Sequence, residues 1–297
     1  MIPFGTRRTR RFIPWLSIAI PGLGWLTFGL YPSFATIFYS FTQYSGLPGT
    51  PLNVCGLCNY TAAFTKLLPQ VGDSLRITAE YVTGVTIVQN AAGLALALLL
   101  NRRGRLFGFY QALVFMPEVF SVAIVGAVFS LLFDPFSGPL EQVVRYVFHT
   151  TSSFLGSYLL ALPIVMGVNI WMFTGYSMLI YIAGLRNIPP EVYEAASVDG
   201  AGRWKTFRHV TWALLAPATT VNVFLTAMGT IGEYSLTLVL TDGNFGTRTI
   251  GMYMFSAAFG GSSQLGYGSM LAMLQFFVTV LVGGSLLILL RRREVQL

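Results

Sequence analysis

Charge is scarce in this chain. Only 10% of its 297 residues are Asp, Glu, Lys or Arg, against roughly 25% in an ordinary soluble domain. With 54% of the residues hydrophobic and a mean hydropathy of +0.66, too few polar side chains remain to cover a water-soluble globule. Histidine is nearly missing. His149 and His209 fall on opposite sides of the expected bilayer and no G-x-S-x-G occurs, so an intramembrane enzyme lacks its metal set and its nucleophile. No phosphate loop is present either: in Gly200-Ala201-Gly202-Arg203-Trp204-Lys205-Thr206, Trp204 stands where the loop requires glycine. Internal repeats, low-complexity tracts and a soluble domain are likewise absent.

What the chain has is long apolar runs. About 20 apolar residues span the hydrocarbon as a helix, and six stretches meet that length: 13–41, 75–100, 106–133, 158–184, 212–240 and 265–290. The expected fold is an all-α membrane protein of six transmembrane helices. The first stretch is too long for a cleaved signal and is read as an anchor. Polar loops rich in Gly, Pro, Ser and Thr separate the stretches on one side; on the other lie a bare basic turn at 101–105 and a long segment, 185–211, that reads as helical.

The formal charge of +7 suggests nucleic acid until its distribution is read. Arg7, Arg8, Arg10 and Arg11 precede the first span, and Arg102, Arg103 and Arg105 lie between the second and third. Arg186, Arg203, Lys205 and Arg208 lie between the fourth and fifth, and Arg291, Arg292 and Arg293 follow the sixth. The opposite side carries only Lys66, Arg145 and Arg248, with Arg76 at a boundary. The positive-inside rule then places both termini, with the tail 1–11, in the cytoplasm. The partner implied is membrane lipid, not nucleic acid. Cys55 and Cys58 fall in the first outward loop, where a disulfide and two free thiols are both open. With no second pair and both histidines remote, no metal site is expected there.

One segment on the basic side breaks the pattern. Within the loop 185–211, Pro189-Pro190-Glu191-Val192-Tyr193-Glu194-Ala195-Ala196-Ser197-Val198-Asp199-Gly200 reads as a short surface helix. Proline suits its first turn, Glu191 and Glu194 suit its N-terminal dipole, and Gly200 suits its stop. Val192, Ala195, Ala196 and Asp199 share a face, flattened by the paired alanines, and Glu194 offers a charge to a basic partner. These are the parts of a docking element. A helix lying on the membrane is the plainer reading, but such helices are usually basic toward the headgroups, and this one starts acidic.

The run Glu194-Ala195-Ala196 with Asp199-Gly200-Ala201, preceded by Ile188-Pro189, resembles the cytoplasmic Glu-Ala-Ala loop of the membrane subunits of bacterial ABC importers that depend on a binding protein. Gly56-Leu57-Cys58-Asn59-Tyr60 resembles the first outer loop of the carbohydrate permeases of that family. Leu132-Phe133-Asp134-Pro135 with Gly138, Thr241 with Gly243, and Leu265-Gly266-Tyr267-Gly268 resemble later segments, in order. The chain departs from the family where the loop usually ends Ile-x-Leu-Pro. Val210, Trp212 and Ala213 stand there, with Pro217 further on, which leaves the angle at which the fifth span begins unspecified. Glu118 stands after Pro117 where relatives tend to carry a neutral residue.

The resemblance implies a type I importer permease fold, a single permease domain over 1–297 with a cytoplasmic coupling helix. It implies half of a translocation pathway for a carbohydrate, or for a related polyol or glycerophosphodiester, worked by alternating access in a bacterial or archaeal cytoplasmic membrane. Implied partners are a second permease subunit, a cytoplasmic ATPase dimer that uses ATP and magnesium, and an extracytoplasmic substrate-binding protein. No cofactor is expected on this chain. Glu191, Glu194, Ala195, Ala196, Asp199 and Gly200 would carry the docking. Swinging a two-state protein between extremes takes about 5.5 kcal/mol of differential binding, and a chain without a nucleotide site must draw it from a neighbour.

Polar residues inside spans are costly and face the bundle interior. Asn90, Glu118, Asn169 and Gln275 fall near mid-membrane, Trp171 sits beside Asn169, and Glu233 and Tyr234 lie in the outer third of the fifth span. Together they supply the hydrogen-bonding groups and aromatic faces that a sugar needs. Glu118, Asn169 and Glu233 are the strongest candidates for the path, while Asn90 and Gln275 equally suit helix–helix hydrogen bonds. A self-sufficient secondary transporter or channel is the competing function. It would favour internal repeats and broken helices over an external docking element.

Overall fold

The computed structural model describes residues 17–102, 104–134, 136–149, 151–261 and 263–292. The basic tail with Arg7, Arg8, Arg10 and Arg11, the first residues of the first apolar stretch, and Arg103, Pro135 and Arg293 lie outside the described residues. Among the described residues regular structure is helical, apart from one isolated antiparallel bridge between Thr42 and Val54.

Helix α1 covers residues 17–40, with a π turn at Leu26–Leu30. A short α2, Cys58–Phe64, leads into α3, Leu68–Leu100, which begins seven residues before the expected boundary at 75 because Pro69 suits a first turn. Helices α4 (Arg105–Phe115), α5 (Val122–Leu132), α6 (Pro139–Phe148) and α7 (Ala161–Arg186) follow. After the short α8 (Pro190–Val198) come α9 (Arg203–Leu214), α10 (Ala216–Ile231), α11 (Ser235–Thr241), α12 (Ile250–Phe259) and α13 (Leu265–Arg291). Unbroken, α3, α7 and α13 are long and apolar enough to cross a membrane.

The stretches 106–133 and 212–240 were expected as continuous helices and are bent. Helix α4 runs into a 3₁₀ turn at Met116–Val119 and α5 departs at 92°. Pro117 explains the break: its ring clashes with the preceding turn and it has no N–H to donate. Phe120 and Ser121 are extended, with ψ of 146° and 137°. The fifth stretch bends by 64° where α9 meets α10 at Leu215, two residues before Pro217, and breaks again at Gly232–Tyr234.

The longest interface joins α3 and α7. A Cβ on Gly93 would lie 2.7 Å from Ser177 Cβ and 3.1 Å from Met178 N, so only glycine permits this approach. Gly93 and Ala97 are buried there, whereas the parallel pair Ala91 and Ala95 is exposed on the opposite face. A second cluster, of Ala97, Met178, Tyr181, Leu185, Ile188 and Leu215 with Tyr193 against it, gathers the ends of α3 and α7 and the start of α10. That end of the bundle carries Arg102, Arg105 and Arg186, and we call it the basic end.

Loops at the far end are fastened by side chains. Asn59, 8% exposed, donates from Nδ2 to Ser40 O at 2.9 Å and Thr42 O at 2.8 Å, tying α2 to the end of α1. Cys55 and Cys58 are joined by a disulfide just before it. The Asp134 carboxylate accepts from Ser137 N at 2.7 Å, Phe136 N at 3.0 Å and the Ser137 hydroxyl at 3.0 Å. Those donors, the Ser137 amide foremost, hold the carboxyl below the usual aspartate range. Thr249 caps α12 by accepting from Met252 N, and its hydroxyl donates to Glu233 O at 3.1 Å.

Candidate functional site

Four elements meet around a cavity of about 230 Å³ in the bundle. From α7 come Asn169, Phe173 and Tyr176, spaced i, i+4 and i+7 and so aligned on one face. Helix α10 supplies Leu225, Thr226, Gly229 and Thr230, and Glu233 follows at the break after it. Glu118 enters from the 3₁₀ turn between α4 and α5, and Gln89 from α3. Irregular backbone at such depth is tolerated where it lines a cavity or is buried in protein, and both breaks carry an acidic residue to this one.

The hydrogen bonds divide the polar residues into two groups. Gln89 Nε2 donates to Ser177 Oγ at 2.8 Å, while Asn90 donates to Thr86 O at 2.8 Å and accepts from the Tyr181 hydroxyl at 3.1 Å. Asn222 Nδ2 donates to Ser177 O at 3.2 Å. Apart from the Asn90–Thr86 bond within α3, these knit α3, α7 and α10 together, each stabilising by roughly 0.6–2 kcal/mol in a membrane. The other group lacks partners: Asn169 Oδ1 and Glu118 Oε2 are buried atoms with no hydrogen-bond donor among the described residues. Asn169 itself is 3% exposed. Glu233 Oε1 accepts from Leu236 N at 2.7 Å, holding the first turn of α11.

The expected set of path residues is therefore split. Glu118, Asn169 and Glu233 come together in the cavity. Asn90 does not line it and is spent on the helix interface. Trp171 is turned away, because two residues along a helix is a rotation of about 200°; it is 48% exposed and sets its ring edge-on to Phe129, 5.3 Å away. Tyr234 stacks on Phe255 at 4.8 Å, also off the cavity. Gln275 on α13 lies against Gly232, with Oε1 buried and unpartnered. The aromatic lining comes instead from Phe173 and Tyr176, and their register with Asn169 was the signal available for finding them.

The acidic segment at the basic end forms α8 as its punctuation dictates. Pro189, at ψ 136°, precedes the first turn, Pro190 opens it and Glu191 lies within it. Gly200 N donates to Ser197 O at 3.1 Å and Ala201 N to Ala196 O at 3.0 Å, closing a Schellman motif with Gly200 at φ +70°. Tyr193 packs on the cluster at the basic end, and its hydroxyl lies 3.4 Å from Thr211 Oγ1. This anchoring corrects the expected docking face. Ala196 is 9% exposed and faces the chain's own core, while Glu191, Glu194, Ala195, Asp199 and Gly200 stay exposed. Val198, 88% exposed, joins them, a large apolar group in the open that sequence reading passed over.

The profile of the family described as binding-protein-dependent transport system inner membrane component matches residues 89–294. The probable starch degradation products transport system permease protein AmyD of Thermoanaerobacterium thermosulfurigenes is 29% identical over 291 residues, covering 95% of each chain. The probable ABC transporter permease protein YesP of Bacillus subtilis is 31% identical over 285 residues, 91% of this chain and 86% of that one. The arabinooligosaccharides transport system permease protein AraP of the same organism is 28% identical over 281 residues, 92% and 87% of the two chains. Among solved structures, a chain of a bacterial alginate ABC transporter in complex with an alginate pentasaccharide-bound periplasmic protein superposes with a TM-score of 0.80. It is 19% identical and covers 96% of both chains, which shows a shared fold.

Proposed function

This chain belongs to the family of binding-protein-dependent transport system inner membrane components, and on that premise we propose that it is one membrane-spanning half of an ATP-driven importer of carbohydrates. A component of this kind is a multi-pass membrane protein and not itself an enzyme. The whole chain, 1–297, is one permease domain. A second permease completes the pathway, an ATPase dimer docks on α8 from the cytoplasm, and a binding protein delivers substrate to the far end. Both termini then lie in the cytoplasm, as the basic residues favour.

The observation that carries the reading is α8 itself. It is a separate, capped helix, rooted in the core by Tyr193 and Ala196, with Glu194, Ala195 and Val198 presented outward. A push on it reaches the ends of α3, α7 and α10 through the cluster it packs on, and those helices wall the cavity that holds Glu118, Asn169 and Glu233. Alternating access is then a change at the basic end transmitted to that cavity. Carbohydrate as cargo rests on the relatives whose names give starch degradation products, arabinooligosaccharides and multiple sugars as their transport systems. The bent third stretch is a feature also found in secondary transporters, but family membership and α8 together favour the importer.

Affinity purification of the tagged chain from its native membranes tests this. An ATPase and a second permease should come with it, and ATP hydrolysis by the preparation should rise when the sugar-loaded binding protein is added. A chain that carries solute by itself in liposomes, without ATP, would overturn the proposal.

A further inference from the structure

The cavity between α7, α10 and the Met116–Val119 turn is lined by two acidic side chains, Glu118 and Glu233, and by no lysine, arginine or histidine. Basic residues on these elements stand at the helix ends, Arg105 and Arg186 among them. Two of its buried polar atoms are acceptors. Asn169 Oδ1 and Glu118 Oε2 both accept and make no hydrogen bond among the described residues, and the Tyr81 hydroxyl stands beside Asn169. Two donors along the same wall are already engaged. The Gln89 amide donates to Ser177 Oγ at 2.8 Å and the Thr230 hydroxyl to Thr226 O at 2.8 Å.

With two carboxyl groups as its only charged lining among the described residues, the cavity is complementary to a guest that brings hydrogen-bond donors. Sugar hydroxyls supply O–H groups and amino sugars supply N–H⁺ groups. A uronic acid or a sugar phosphate brings further acceptors and a charge of the same sign as Glu118 and Glu233, and like charges brought together are strongly disfavoured. Phe173 and Tyr176 add faces on which the C–H surface of a pyranose packs. We propose that the cavity formed by Glu118, Asn169 and Glu233 is a charge-selective sugar site, which accepts neutral or amino sugars and rejects carboxylated and phosphorylated ones. The proposal deepens the importer reading and rests on it.

The test is binding to the assembled importer complex in lipid nanodiscs, without its binding protein, so that this site and not the delivery subunit is read. Three probes are titrated by calorimetry: a glucose trisaccharide, a glucosamine trisaccharide and a galacturonate trisaccharide. The neutral or the amino probe should bind at least about tenfold tighter than the galacturonate. Glu118→Gln should shrink that ratio by about threefold or more. Should Glu118→Gln fail to assemble, Asn169→Asp adds a carboxylate at the same site and should widen the ratio instead. Equal binding of all three probes, preference for the galacturonate, binding of none, or a ratio unmoved by either variant overturns the proposal. Hydrolysis stimulated by the loaded binding protein, measured on the same preparation, reports on the importer reading separately, so the two fail distinguishably.

Discussion

At the scale of single residues, position along a helix decides which polar and aromatic groups matter. Asn169, Phe173 and Tyr176 share the cavity face of α7 while Trp171 points away from it. Tyr176→Ala is therefore expected to lower the uptake rate by about tenfold, as loss of a stacking face would. Trp171→Ala should leave uptake within about twofold, and transport assays on vesicles holding the full complex separate the two. A second prediction concerns packing. A Cβ at Gly175 would lie 2.5 Å from Val114 O and 2.6 Å from Phe115 Cα, both backbone atoms that cannot swing aside. Gly175→Ala should cost about 1–3 kcal/mol, read as a lower midpoint of thermal unfolding in detergent. The sequence made Glu118, Asn169 and Glu233 legible because a polar group in a greasy span stands out. Phe173 and Tyr176 were hidden among 24 Phe and 14 Tyr residues, where composition singles out nothing and only register with Asn169 would have.

At the scale of elements, helix punctuation was read correctly where it is local and missed where it depends on the turn before. The double proline and Gly200 marked both ends of α8, since each acts through its own backbone. Its inward face was misassigned: Ala195 and Ala196 look alike in sequence, and only the anchoring of Tyr193 on the core decides which of them is covered. Pro217 left the angle of entry to the fifth stretch open, whereas the stretch around Pro117 was read as one span, because apolar runs count length and not direction. The 92° and 64° bends come from backbone geometry that hydropathy does not carry. One prediction belongs here. Gly200 has φ +70° with open space around its Cα, so a side chain fits but strains the backbone by about 1–2 kcal/mol. Gly200→Val should raise amide hydrogen exchange across 190–201 while leaving α3 and α7 protected, as mass spectrometry of the exchanged chain would show.

At the scale of the whole molecule, the same three helices join the two features on which the proposed function rests. Helix α8 and the cluster of Ala97, Tyr181, Leu185 and Leu215 occupy the basic end, and the same α3, α7 and α10 continue from there to the cavity. Buried hydrogen bonds among Gln89, Asn90, Ser177, Tyr181 and Asn222 bind the three helices along the way. Such a tie favours movement of the helices as a group over independent bending. The overall class of fold was plain from composition and charge distribution, because a bilayer leaves few alternatives to a helical bundle. The face of α8 left open was less so, since exposure, as at Val198, is a property of the folded chain.

The account turns on α8 as the point where work enters. The measurement that tests it most directly is solute imported per ATP hydrolysed, in proteoliposomes holding the complete complex, for the natural chain and for Glu194→Lys with Ala195→Trp. Both changes fall on exposed positions, so the bundle should fold unaltered. The account predicts that import falls by about tenfold or more while the ATPase subunits still hydrolyse nucleotide. Import at the natural rate and ratio, with those two residues replaced, would contradict it.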